Sequence, residues 1–339
     1  MRNKKLNTTF YQITKKILVI SLVLSASVYF MFDFGLKENI QESTTWVEVS
    51  PDIAAIKKDV NYLASLKRCW FFRKDLDEAT AYIEKSLTQS GYKVTKQEFA
   101  LGSPFNSNEK FTNLIVSYGD GNQKERIIVG AHYDTVNNPG ADDNASAVAA
   151  LLEIAKLLKQ NNPKLNKQID MVFYANEEPP FFATSNMGSA RHYQLISKEK
   201  PKTTAMIALE MLGYYRTEKG SQKYPVSFMK YIYGDVGDFI TVVGNIKGRK
   251  LVHNVYKGLS STKLPAKLLV APSIIPGLMF SDHLNYADKI PSVMITDTAF
   301  YRNPNYHKAT DLPDTLDYDK LALAVTGTYR AIIDIANNY

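Results

Sequence analysis

Five short apolar runs, at 113–118, 126–131, 170–175, 204–209 and 291–295, each stop at a cluster of polar residues. Runs of that length rich in Val, Ile, Leu and Phe read as strands buried on both faces, because a strand with one wet face alternates instead. Segments with apolar residues at helical spacing accompany them, at 51–66, 75–90, 145–159, 189–197 and the closing 318–337. Gly91 stops the second helix, and residues 92–99 alternate like a strand. Apolar strands interleaved with helices predict an α/β fold: a single domain over 51–339, with a mostly parallel central sheet covered by helices on both faces. Such sheets bind ligands outside the carboxyl ends of their strands. The polar clusters stand at those ends, so they are where the chemistry is to be sought.

The chain opens on a basic segment, 1–16, in which Arg2, Lys4, Lys5, Lys15 and Lys16 have no acidic counterweight. Residues 17–32 then carry no charge, slightly short of the roughly 18–20 apolar residues that span a bilayer. A transmembrane signal anchor is expected over 17–36, its N-terminus cytoplasmic by the positive-inside rule and the rest of the chain exported. A cleaved signal peptide, with Ser25-Ala26-Ser27 as the small-residue site, is the competing reading. Continuation of the apolar run through Val28, Tyr29 and Phe30 argues against processing there. Residues 37–50 read as a linker. The net charge of +7 owes part of its surplus to the first segment; elsewhere Lys and Arg are interspersed with Asp and Glu, which argues against a nucleic-acid partner. Cys69 is the single cysteine, so an intramolecular disulfide and a cysteine-based zinc site are both excluded.

The first polar cluster delivers His132 and Asp134 as an apolar strand ends. Imidazole is a common zinc ligand, and a nearby carboxylate commonly fixes its tautomer. The second, Gly140-Ala-Asp-Asp-Asn-Ala-Ser146, runs into a helix. One acidic residue there would serve as an N-cap; two adjacent aspartates beside a histidine strand suit a carboxylate that bridges cations. The third, Asn176-Glu-Glu178, ends a very apolar strand with two like charges, which coexist when a cation or a proton separates their roles. Prolines at 179 and 180 then turn the chain out of helix or ladder. Glu210 closes a fourth run, and Asn305-Tyr-His-Lys-Ala-Thr-Asp311 supplies His307, one of five histidines.

In this order the clusters resemble the co-catalytic zinc aminopeptidase family, which also includes glutaminyl cyclases and glutamate carboxypeptidase relatives. The similarity spans roughly residues 55–339, with Gly-Ala-Asp-Asp and Glu-Glu its most specific parts. The resemblance implies a metallo-aminopeptidase with two zinc ions per chain, acting on peptide substrates. It implies that Asp142 bridges both ions, that His132 and Glu210 complete one site, and that Glu178 and His307 complete the other. Glu177 is then the general base, and Asp134 orients His132. Ser281-Asp-His283 resembles a segment near the family's cleft, which offers His283 or a nearby tyrosine to an oxyanion. A glutaminyl cyclase-like enzyme, another amide-processing zinc enzyme and a metal-free binding domain of the same fold are the alternatives. The chain departs from the family pattern at Glu210, where aspartate is usual, in a longer loop over 179–186, and in an insertion over about 213–276 expected to line the cleft. Residue specificity and oligomeric state are not legible in the sequence.

Overall fold

A computed structural model of the chain describes residues 15, 32–35, 46–105 and 108–339. Helices α1 (Ile53–Ala64) and α2 (Arg73–Gln89) lead into strands β1 (Thr95–Ala100), β2 (Lys110–Tyr118) and β3 (Glu125–His132). Helix α3 (Ala147–Asn161), β4 (Gln168–Tyr174), α4 (Gly188–Ile196) and β5 (Lys202–Glu210) follow. The chain then forms β6 (Ile240–Gly244), α5 (Arg249–Leu259), β7 (Ala266–Val270), β8 (Ser292–Thr296) and the closing α6 (Tyr318–Asn338).

The eight strands form one sheet in the order β1-β2-β4-β3-β5-β8-β6-β7. Its middle, β4-β3-β5-β8, is parallel throughout. The sheet as a whole is mixed, since β1–β2, β2–β4 and β6–β8 pair antiparallel. The expected parallel sheet therefore holds only for its centre, where helical crossovers return the chain in the same direction. Alternation along each central strand splits the core in two. Ile127, Val129, Ala131, Ala205, Ile207 and Leu209 face a large cluster built with α1, α2, α3, α5 and α6. Ile128, Met206 and Ala208 face a smaller one that includes Ile196 of α4 together with Met229, Leu278 and Tyr286. Helices cover both faces, but unequally.

Two expectations about segments change here. The segment about 213–276, expected as a cleft-lining insertion, also supplies β6 and β7 to the sheet and α5 to its larger core. Of the expected signal anchor over 17–36, residues 17–31 and 36 lie outside the described residues. Residues 32–35 are not helical: Asp33 forms an antiparallel bridge with Val270 of β7. Among the described residues no helix is long and apolar enough to cross a membrane.

Candidate metal centre

Because β4, β3 and β5 are adjacent and parallel, their carboxyl ends open on one edge of the sheet. His132 is the last residue of β3 and Glu210 the last of β5, while Glu177 and Glu178 follow β4 by a few residues. Backbone in the left-handed region, disfavoured for residues with a Cβ, brackets this edge: Asn176 before the glutamates, Met211 after Glu210, and His307 itself, with φ of 60°, 51° and 57°. Such strain persists where the surrounding structure over-determines it, and it clusters at functional sites.

Asp143 is central. Its Oδ1 lies 3.4 Å from His132 Nε2 and its Oδ2 3.2 Å from His307 Nε2. Glu210 Oε2 is 3.4 Å from His132 Nε2, and Glu178 Oε2 is 3.2 Å from His307 Nε2. Three groups of side chains are close enough to hold a cation: His132–Asp143–Glu210 and Asp143–Glu178–His307, which share Asp143, and His132–Glu177–Glu178. Glu177 Oε2 stands 4.0 Å from His132 Nε2, beside the two that share Asp143.

Asp143, rather than the Asp142 expected to bridge, stands between the two histidines. After Gly140, at φ 59°, the backbone at Asp143 leaves helical geometry, with φ −105° and ψ 89°. The two consecutive carboxylates consequently serve different partners. That of Asp142 accepts from the Gly213 N–H at 2.9 Å and from Asn303 Nδ2 at 2.8 Å. Burial and the adjacent Asp297 push it well above the usual carboxylate range. A Cβ on Gly140 would meet the Asp143 carbonyl oxygen at 2.3 Å, so this turn admits only glycine. Fully buried Arg68 donates to the carbonyls of Tyr133, Pro139 and Gly140 and so fixes the turn from below.

Asp134 does more than sit by His132. Its Oδ1 is 3.6 Å from His132 Nδ1, and its two oxygens accept the N–H groups of Glu177 and Glu178 at 3.0 and 3.1 Å. Asp311 treats the other acidic pair in the same way, accepting from the N–H groups of Asp142 and Asp143 at 3.0 and 3.1 Å. The sequence pattern contained Asp311 without indicating this role. Ser281 donates to Glu210 Oε2 at 2.8 Å, which steadies the longer glutamate arm.

His283 does not join this group. It is buried, its Nε2 donates to the Leu278 carbonyl at 2.9 Å, and its Nδ1 has no access to solvent. Burial lowers its pKa to about 4, so it presents no proton to a substrate. Tyr306 is better placed: its ring stacks on His307, with centroids 3.8 Å apart, and it borders the cleft that Glu210 also lines.

The electrostatics describe a site short of positive charge. Burial pushes Glu177 well above the usual carboxylate range; His132 opposes the shift, and Glu178, Glu210 and Asp282 add to it. Burial and then Asp143 raise Glu178 to about 8. Burial would also raise Asp143, but His132 and His307 hold it below its ordinary value. Both histidines are shifted up despite burial, His307 to about 10 by Asp143 and Glu178. Asp143 Oδ2, Glu178 Oε1 and His307 Nε2 are buried without a hydrogen-bond partner. Cations satisfy such a set, and nitrogen with oxygen donors suits zinc.

Beside the centre a largely apolar cleft runs from Glu210 over β8, β6 and β7. Tyr224, Phe239, Phe280, Phe300, Met229 and Met294 are among the residues that line it.

Residues 113–328 match the family model described as peptidase family M28. An Escherichia coli K12 protein described as uncharacterized protein YfbL is 46% identical over 265 residues, covering 75% of this chain and 78% of its own length. A probable leucine aminopeptidase of Trichophyton verrucosum is 25% identical over 293 residues, covering 80% of this chain and 70% of its own. The crystal structure of LapB from Legionella pneumophila superposes with a TM-score of 0.66 at 22% identity, over 85% of this chain and 73% of that one. A glutaminyl cyclase of Bacteroides thetaiotaomicron superposes with a TM-score of 0.60 at 20% identity, over 86% and 99%. Matched through most of its length and in the strand ends that carry the acidic cluster, the chain belongs to peptidase family M28.

Proposed function

We propose that the protein is a zinc aminopeptidase that removes large apolar residues from the N-termini of peptides. The observation that carries this reading is the pair of ligand groups sharing Asp143. His132, Asp143 and Glu210 would hold one zinc ion, and Asp143, Glu178 and His307 the second. Two such ions polarise a scissile carbonyl and make a water nucleophilic near neutral pH.

The chain's own groups do the rest. Glu177, standing beside both ligand groups, takes a proton from the attacking water and returns it to the leaving amine. Asp134 fixes its backbone, so the carboxylate is aimed before substrate arrives. The Tyr306 hydroxyl is the candidate donor to the developing oxyanion. The neighbouring cleft receives the side chain of the residue to be released, and its apolar lining favours leucine, phenylalanine and their like. The basic segment and the uncharged residues after it support membrane attachment with this site on the extracytoplasmic side; membrane fractionation checks the attachment, and protease accessibility in intact cells the side.

Metal analysis of the full chain, with hydrolysis of amino-acid amides with and without a chelator, tests the proposal. Two zincs per chain and chelator-sensitive release of leucine and phenylalanine are expected. One zinc, with cyclisation of N-terminal glutamine and no hydrolysis, would replace it with a cyclase-like activity. Absence of bound metal under zinc-replete conditions would leave a binding domain.

A further inference from the structure

The end of the N-terminal apolar run reaches the cleft from outside. Asp33 pairs with Val270 through both backbone groups, its N–H donating at 2.9 Å and its carbonyl accepting at 2.8 Å. This isolated bridge covers one position of the polar edge of β7, the outer strand of the sheet. Alternation then sends neighbouring side chains to opposite faces. Asp33 turns towards α5, where its Oδ2 is 2.9 Å from His253 Nε2 and 3.6 Å from Arg249. Phe32 and Phe34 turn to the cleft side and pack on the smaller core.

Phe34 meets two rings there edge-on, Tyr233 at 6.0 Å and Phe228 at 6.1 Å between centroids. Tyr233 in turn stacks on Tyr224 at 5.9 Å, and both tyrosines line the cleft. The Tyr233 hydroxyl donates to the Leu268 carbonyl of β7 at 2.6 Å, the strand that Asp33 holds. Phe34 is therefore one ring behind the cleft wall, on a segment fastened to the same strand as the wall itself.

We propose that residues 32–35 buttress the side-chain cleft, and that selectivity for large apolar N-terminal residues depends on Phe34. The inference rests on the aminopeptidase reading for its substrate, but not for the packing it describes. Without Phe34, Tyr233 loses one of the two rings it packs against, and the wall shared with Tyr224 loosens. Small residues, which do not reach that wall, are unaffected.

The full chain, purified in detergent, is compared with Phe34→Ala and Phe34→Leu. For leucine and phenylalanine amides kcat/KM falls about tenfold in Phe34→Ala, the scale of a defect in an apolar pocket, while alanine amide stays within about twofold. Phe34→Leu falls between, and it carries the test alone if the alanine variant does not fold. Equal losses on all three amides, or none, overturn the proposal. Calorimetric binding of 2-phenylethylamine supplies a readout without turnover, expected to weaken about tenfold in Phe34→Ala. A native chain that binds the amine but hydrolyses no amide sinks the aminopeptidase reading and leaves the buttress standing. Unchanged affinity in the variants, or no binding by the native chain, sinks the buttress.

Discussion

Asp311 holds Asp143 by its backbone, its Oδ2 accepting the Asp143 N–H at 3.1 Å. The Asp143 carboxylate is thereby presented between the two histidines without being touched by the residue that positions it. Asp311→Asn exchanges one of two acceptor oxygens for a donor that faces an N–H. Zinc affinity is expected to fall by about 10–100-fold, the usual cost of losing an outer support of a metal ligand. Competition against a chromophoric chelator reads the change, and unaltered affinity would show that the clamp does not position Asp143.

Asp143 and Asp142 are adjacent in sequence and should differ sharply when changed. Asp143→Asn removes the charge shared by both ligand groups, so metal is lost and kcat falls by about 10³-fold or more, several kcal/mol of lost charge stabilisation. Asp142 faces away from the histidines, its two oxygens taken by the Gly213 N–H and the Asn303 amide. An amide keeps one of those acceptor oxygens, and Asp142→Asn should stay within about tenfold, the value of one hydrogen bond. Metal content and kcat of the two variants decide the matter; the reverse order would return the bridge to Asp142.

Glu177→Gln removes the base and keeps every proposed ligand, because Asp134 grips Glu177 through its backbone N–H. Turnover should drop by about 10²–10⁴-fold, the contribution of a positioned general base, with zinc content unchanged. Near-native turnover would remove Glu177 from the chemistry.

Metal removal should make stability depend on pH in an unusual direction. Burial, first among the causes, raises Asp297 to about 6, Asp282 and Asp311 to about 7 and Glu178 to about 8. In the unfolded chain these carboxyls lose their protons near pH 4. Above that the metal-free fold binds more protons than the unfolded chain, so stability falls as pH rises through 6–8. Buried His192 and His283, lowered to about 3 and about 4, act oppositely below pH 6.5 but are fewer. Thermal melts of chelator-treated protein at pH 5 and pH 8 should show the lower Tm at pH 8, and added zinc should restore it. A Tm that rises with pH in the chelated protein would refute this charge balance.

The central strands were readable because burial on both faces leaves an uninterrupted apolar run, and β3, β4, β5 and β8 all fall where such runs occur. Strands β6 and β7 were not read. β7 carries Lys267 among its apolar residues, and β6 ends in glycine. Their places depend on pairing partners far away in the chain, β8 for β6 and β6 for β7.

Residue types and their order along the chain determined which strand ends carry acid and histidine, and hence the family and the class of chemistry to expect. Which of two adjacent aspartates faces the histidines was decided by the non-helical backbone after Gly140 and by the grip of Asp311, 168 positions from Asp143. The fate of His283 was likewise tertiary, since only packing shows that its imidazole is spent on the Leu278 carbonyl. A local pattern records what a side chain can do. The direction it faces depends on hydrogen bonds that close only when distant segments meet, and these bonds separate Asp143 from Asp142.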